Sequence, residues 1–134
     1  MSMSDLVVQR GRFAGLKVLV VEDEVILFLL IEDMLSELGV AEAWHAVSIK
    51  DALAILDDRR PDAVVLDVNL AGEMAYSIAN RLDQSSIPFV FVTGYGRGGI
   101  PPEWALHPMI EKPFELHTLA SALGSVLGPA AGNS

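Results

Sequence analysis

Five short apolar runs, at residues 18–21, 40–46, 63–66, 89–92 and 109–110, alternate along this chain with segments whose apolar residues recur at helical spacing. Near-continuous aliphatic runs of that length are what strands buried on both faces require. Strand and helix in alternation imply βαβ units, and hence a parallel sheet with helices packed on each side.

The first helix is expected over residues 25–38, where Leu27, Leu30, Ile31, Met34, Leu35 and Leu38 share one face and Gly39 supplies the stop. Val25, Ile26, Phe28 and Leu29 are surplus to that face. The second helix, over 48–58, has Ser48 as N-cap with Asp51 three residues on, and directs Ile49, Ala52, Leu53 and Leu56 inward. A third over 74–83 follows Gly72, and the last, over 115–127, carries Leu116, Leu119, Ala120, Leu123 and Leu127 at helical spacing. Residues 94–102 hold four glycines and two prolines where the alternation requires another helix. That fourth helix is therefore expected to be short, late or mobile.

At 134 residues, with 51% hydrophobic but only 7% aromatic content, the chain is sized for one domain with an aliphatic core. The domain is expected over residues 16–127, with 1–15 and 128–134 as flanking tails outside the packed pattern. Nine Lys and Arg scattered against a net charge of −9 form no basic stripe, so no nucleic-acid partner is expected. The longest apolar run, residues 25–31, is far short of the roughly 20 residues of a membrane helix, and the N-terminus lacks a signal-peptide plan. Without cysteine there is no disulfide frame or thiolate chemistry. A soluble cytoplasmic protein, with no membrane partner, is the expectation.

Acidic residues end two of the runs: Glu22 and Asp23 follow Val21, and Asp67 follows Leu66. In a parallel sheet these ends lie on one edge, where the three carboxylates would meet. Like charges that close repel and raise one another's pKa, so a site that keeps them ionised needs a bridging cation. An all-oxygen set with few protein ligands and room for water suits Mg2+, and such sites usually handle phosphate.

Four motifs fall in order at strand ends: Val20-Val21-Glu22-Asp23-Glu24, Val64-Val65-Leu66-Asp67, Phe91-Val92-Thr93-Gly94 and Glu111-Lys112-Pro113-Phe114. With them the chain resembles a CheY-like response-regulator receiver domain of two-component signalling, over about residues 16–127. The resemblance implies an α/β, flavodoxin-like, doubly wound five-stranded parallel sheet of order 2-1-3-4-5, with the site at its carboxyl edge. It also implies that Asp67 is the phospho-acceptor, taking a phosphoryl group from the phosphohistidine of a histidine kinase or phosphotransfer protein to form an acyl phosphate. Glu22, Asp23, Asp67 and the backbone carbonyl of Asn69 would hold Mg2+. Lys112 would pair with one phosphoryl oxygen and Thr93 would hydrogen-bond another. The peptide between Lys112 and Pro113 would be cis, aiming the ammonium into the site. Apart from its own phosphorylation and dephosphorylation, such a domain is a stoichiometric acceptor and not an enzyme.

Two positions depart from the family pattern: Met109 replaces the aromatic switch three residues before the lysine, and Ala71 replaces the proline of the loop after the acceptor. Residues 88–96 are similar to variant receivers with a Phe-Ala-Thr-Gly-Tyr type signature, Val92 standing in place of its Ala. In that subgroup the switch aromatic is absent and kinases of the HWE type are frequent partners. Signalling is then expected to pass to Thr93 and Tyr95, with residues 94–99 ordering on phosphorylation. Tyr95 and Asn69 are expected to tune phosphate lifetime, and Ile26, Phe28 and Leu29 to dock a partner helix bundle.

Competing motifs are weaker. Gly94, Gly96 and Gly99 fit G-x-G-x-x-G, with Glu111 at a plausible ribose distance, but Pro101-Pro102 denies that fingerprint its immediate helix. Asp67-Val68-Asn69 is similar to the Asp-x-Asp of haloacid dehalogenase phosphatases but lacks the second Asp, their general acid. His45, His107 and His117 have no metal-like spacing and are assigned no chemistry. The expected function is a receiver without output domain, acting as an interaction switch or as a phosphate shuttle or sink. The alternatives are the receiver of a hybrid histidine kinase, with Arg12-Phe13-Ala14-Gly15 as a linker remnant, and a phosphate-independent pseudo-receiver binding module.

Overall fold

A strand sends alternate side chains to opposite faces, so a run that is apolar throughout must bury both. The computed structural model, which describes residues 2–3, 11–94 and 99–128, pairs five strands in one sheet, and the first, third and fourth are of this kind. The five are β1 (Lys17–Val21), β2 (Glu42–Ala46), β3 (Ala63–Asp67), β4 (Phe89–Thr93) and β5 (Met109–Glu111). They form one parallel sheet of order β2-β1-β3-β4-β5, the doubly wound order expected. On one face Leu19, Val21, Leu66 and Phe91 pack with helix α2 (Ile49–Asp58) and helix α3 (Tyr76–Gln84) through Ala52, Ile78 and Leu82. On the other, Val18, Val20, Val65 and Val92 pack with α1 (Val25–Glu37) and α4 (Leu116–Leu127) through Ile31, Leu35, Leu119 and Leu123.

Local signals place two helix ends. Ser48 Oγ accepts a hydrogen bond from Asp51 N at 3.0 Å, which caps α2. Gly39, at φ 97°, closes α1, and Val40 N donates back to Leu35 O at 3.0 Å.

Three expectations change. Phe28, assigned to an exposed docking face, is 8% exposed and stacks on His45 with ring centroids 3.9 Å apart, while Leu30 faces solvent. The buried stripe of α1 runs through Phe28, Ile31 and Leu35 because the large ring fills the space above the end of β2. The N-terminal tail is not outside the packing: Phe13 is 1% exposed in the second core, and the Arg12 guanidinium donates to the carbonyls of Gly124 and Gly128. The third helix begins at Tyr76, not at 74, because Asn69–Leu70 and Glu73–Met74 pair as a small antiparallel hairpin. Its turn residues Ala71 and Gly72 both have positive φ, and Asn69 Oδ1 accepts from Gly72 N at 2.7 Å. The fourth helix is short, as expected: the described residues hold a single 3-10 turn there, Pro102–Trp104. Trp104 fills the space a helix would cover, packing edge-on against Phe89 and Phe91 at 5.7 Å each. No helix among the described residues is long and apolar enough to cross a membrane.

Candidate functional site

Parallel register brings the carboxyl ends of β1, β3, β4 and β5 level. Val21 pairs with Leu66, Asp67 with Val92, and Thr93 with Glu111. Asp67 is therefore the last residue of the central strand, 4% exposed, with Glu22 beside it at 1%. The chain past β1 stays extended, since Glu22 N donates to Ala46 O at 3.0 Å. Lys112 is held next to β4 by its own N–H, which donates to Thr93 O at 2.8 Å, and the peptide between Lys112 and Pro113 is cis.

Lys112 Nζ donates to Asp67 Oδ2 at 2.9 Å and lies 3.1 Å from Glu22 Oε1, an ion pair whose angle falls short of a hydrogen bond. Asp67 Oδ1 accepts from Asn69 N at 3.2 Å, and Glu22 Oε2 from Glu24 N at 3.1 Å. Carboxylate oxygens of Glu22, Asp23 and Asp67 lie within 4.8 Å of one another. Three carboxylates thus face one ammonium, an imbalance that a hard cation would relieve. Burial first, and then the charge of Asp67, push the Glu22 carboxyl from 4.5 up to about 7, against the lowering effects of the Glu24 N–H and Lys112. Burial alone would lower the Lys112 pKa, but the hydrogen bond to Asp67 and the charges of Asp67 and Glu22 outweigh it, and the net shift is upward.

A cleft of about 740 Å³ opens over these groups. Asp23, Asp67, Thr93 and Lys112 are among its polar lining residues. Asn69 also lines it, while Met109 lies outside, packed partly buried against the first core. Ile26 and Leu29 project from α1 at 84% and 52% exposure. Tyr95 lies outside the described residues, as does most of the glycine segment.

Two residues assigned no role from sequence belong to this region. His45 Nε2 lies 2.7 Å from Glu22 O, bracing the acidic loop from the neighbouring strand. The sequence signal for it is position alone, one residue short of the end of β2. Tyr76, the first residue of α3, lines the cleft beside Met74 and Ile100. It reads as an ordinary helix residue until the hairpin is known.

A doubly wound parallel sheet with buried carboxylates and a lysine at its carboxyl edge is a flavodoxin-like domain with its site where that fold places one. Residues 18–124 match the response regulator receiver domain, and the chain belongs to that family. It is 31% identical over 115 residues to the sensory transduction protein LytT of Bacillus subtilis, covering 81% of this chain and 46% of that one. The solution structure of SdrG from Sphingomonas melonis Fr1 aligns with a TM-score of 0.71 and 34% identity, over 84% of this chain and 96% of that one. The response regulator PhyR from Brucella abortus aligns at 0.75 and 25%, over 93% of this chain and 53% of that one. The chain spans about half the length of the curated relatives it matches.

Proposed function

We propose that Asp67 accepts a phosphoryl group from the phosphohistidine of a histidine kinase or phosphotransfer protein. The observation that carries this reading is the placement of Asp67: at the end of the central strand, 2.9 Å from Lys112 Nζ, on the floor of an open cleft with two further carboxylates at hand. Attack by a carboxylate oxygen on phosphorus yields an acyl phosphate, and Lys112 then shifts its hydrogen bonds to a phosphoryl oxygen. Thr93, at the end of β4, offers its hydroxyl to another. The three carboxylates and the Asn69 carbonyl suit Mg2+, which when bound offsets charge that otherwise repels the phosphoryl group. Asn69, and Tyr95 outside the described residues, would set the lifetime of the product. Pro113 would keep Lys112 aimed at the site, and Met109 would leave signalling to other residues.

The resulting activity is that of a cytoplasmic protein-interaction switch or phosphate shuttle, paired with a kinase of the HWE type. Ile26 and Leu29 would form the docking surface on α1. A second reading is that this receiver is one module of a longer protein, as a match to 46% of LytT allows; a hybrid kinase is one such protein. Both readings share the acceptor chemistry.

The test is intact mass after incubation with acetyl phosphate and Mg2+. A single phosphate adduct, absent from Asp67→Asn and absent with chelator, is the expected result. No adduct under any condition would leave a phosphate-independent binding module.

A further inference from the structure

The cleft is several times larger than a phosphoryl group, and its lining residues are of two chemistries. Asp23, Asp67, Lys112 and Thr93 are part of its polar lining; Met74, Tyr76 and Ile100 supply an apolar wall. That wall is built by the hairpin and by the chain after the glycine segment, features separate from the acidic cluster. Among the described residues, the Tyr76 ring meets one other ring, Phe91, with centroids 6.3 Å apart and planes at 76°. An edge-to-face pair uses at most one face of a ring, so at least one face of Tyr76 is not stacked in that pair.

Charge sharpens the match. Burial first, and then the charge of Glu103 on the 3-10 turn, raise the Tyr76 pKa, so the ring sits in the field of a carboxylate. An aromatic face beside a negative charge favours a flat cationic ligand.

We infer that Met74, Tyr76 and Ile100 form a leaving-group subsite, in which Tyr76 stacks on the imidazole ring of the phosphoryl donor. This rests on Asp67 being the acceptor. A phosphorylated imidazole protonated on its second nitrogen is flat and carries positive charge on the ring. The Asp67 oxygen bonds to phosphorus as the P–N bond breaks. The nitrogen keeps that bond's electron pair, and the ring departs as neutral imidazole with no proton transfer required. Acetyl phosphate, whose leaving group is acetate, presents the wall with neither a ring nor a positive charge. Tyr76 is thus a specificity-determining residue for the class of donor.

The experiment compares initial rates of adduct formation from monophosphoimidazole and from acetyl phosphate, at equal Mg2+, for the wild type, Tyr76→Ala, Tyr76→Leu and Tyr76→Phe. The expected outcome is a fall of about tenfold in the imidazole-to-acetyl rate ratio for the Ala and Leu variants, with the ratio kept in Tyr76→Phe, as loss of one stacked ring predicts. Tyr76→Leu retains apolar bulk, so it carries the test should Tyr76→Ala fold poorly. A purely packing role for Tyr76 would slow both donors alike and leave the ratio unchanged, which overturns the subsite while the acceptor reading stands. A wild type that takes phosphate from neither donor overturns both.

Discussion

Glu22 holds the most conflicted charge in the molecule: a carboxyl with 1% exposure, beside Asp67, with a pKa raised to about 7. Its folded value exceeds the unfolded value near 4.5, so the native state binds this proton more tightly. The stabilisation is complete below about pH 4.5, declines as pH rises, and is gone above about pH 7. Metal-free protein is therefore expected to lose thermal stability between those values, and Glu22→Gln to show a flatter profile. Calorimetry in chelator at half-unit pH steps checks this, and parallel profiles for the two proteins would contradict the assignment. Mg2+ acts in the opposite direction. At pH 7.5 a concentration about a hundredfold above its Kd should stabilise the wild type by about 2.7 kcal/mol, and Asp23→Asn much less. A midpoint insensitive to Mg2+ would count against the metal site. The convergence of Glu22, Asp23 and Asp67 was legible in the sequence because each follows or ends an apolar strand, and parallel strands present their ends together, while Lys112 was expected beside them from the family resemblance. His45 and Tyr76 were not legible, since one acts through a backbone carbonyl and the other enters the cleft only because a hairpin delays its helix.

At the scale of elements, the signals that could be read are those that act within a few residues. Ser48 caps α2 through Asp51 N, and Gly39 takes the left-handed conformation that ends α1. Replacing Ser48 by Ala should cost about 1 kcal/mol, seen as an earlier denaturant midpoint with an unchanged slope. A larger loss would mean that Ser48 also positions the loop after β2. The hairpin at 69–74 escaped detection because its turn places Ala71 at φ 52°, a conformation that sequence rules reserve for Gly, Asn or Asp. Trp104 shows the same limit. Its turn lies in a stretch whose prolines forbid an ordinary helix, and only the packed structure shows the indole closing the core against Phe89 and Phe91. Trp104→Ala is expected to cost about 3–5 kcal/mol, read by chemical denaturation. A cost below 1 kcal/mol would show that the turn is not part of the cooperative unit.

For the molecule as a whole, the alternation of strands and helices was enough to obtain a parallel sheet covered on both faces, while the strand order came from the family resemblance. It could not set where the cooperative unit begins. Residues 11–15 carry no strand or long helical period, yet Phe13 inserts among the side chains of α1 and α4. Arg12 meanwhile donates to Gly124 and Gly128, near the carboxyl end of α4, where a cation also complements the helix dipole. Two apparently separate ends of the sequence are thereby tied together at the second core, far along the chain from Asp67. A chain beginning at Leu16 should therefore accept phosphate on Asp67 yet melt earlier. Losing the Phe13 side chain alone is worth about 3–5 kcal/mol, which for a domain of this size lowers the midpoint by about 10 °C. Phe13→Ala should reproduce most of that shift and Arg12→Ala a smaller part of it. Circular dichroism melts of the three proteins decide the matter. Midpoints equal to that of the full chain would make residues 11–15 a dispensable lead-in, whereas the expected loss would make them part of the receiver itself.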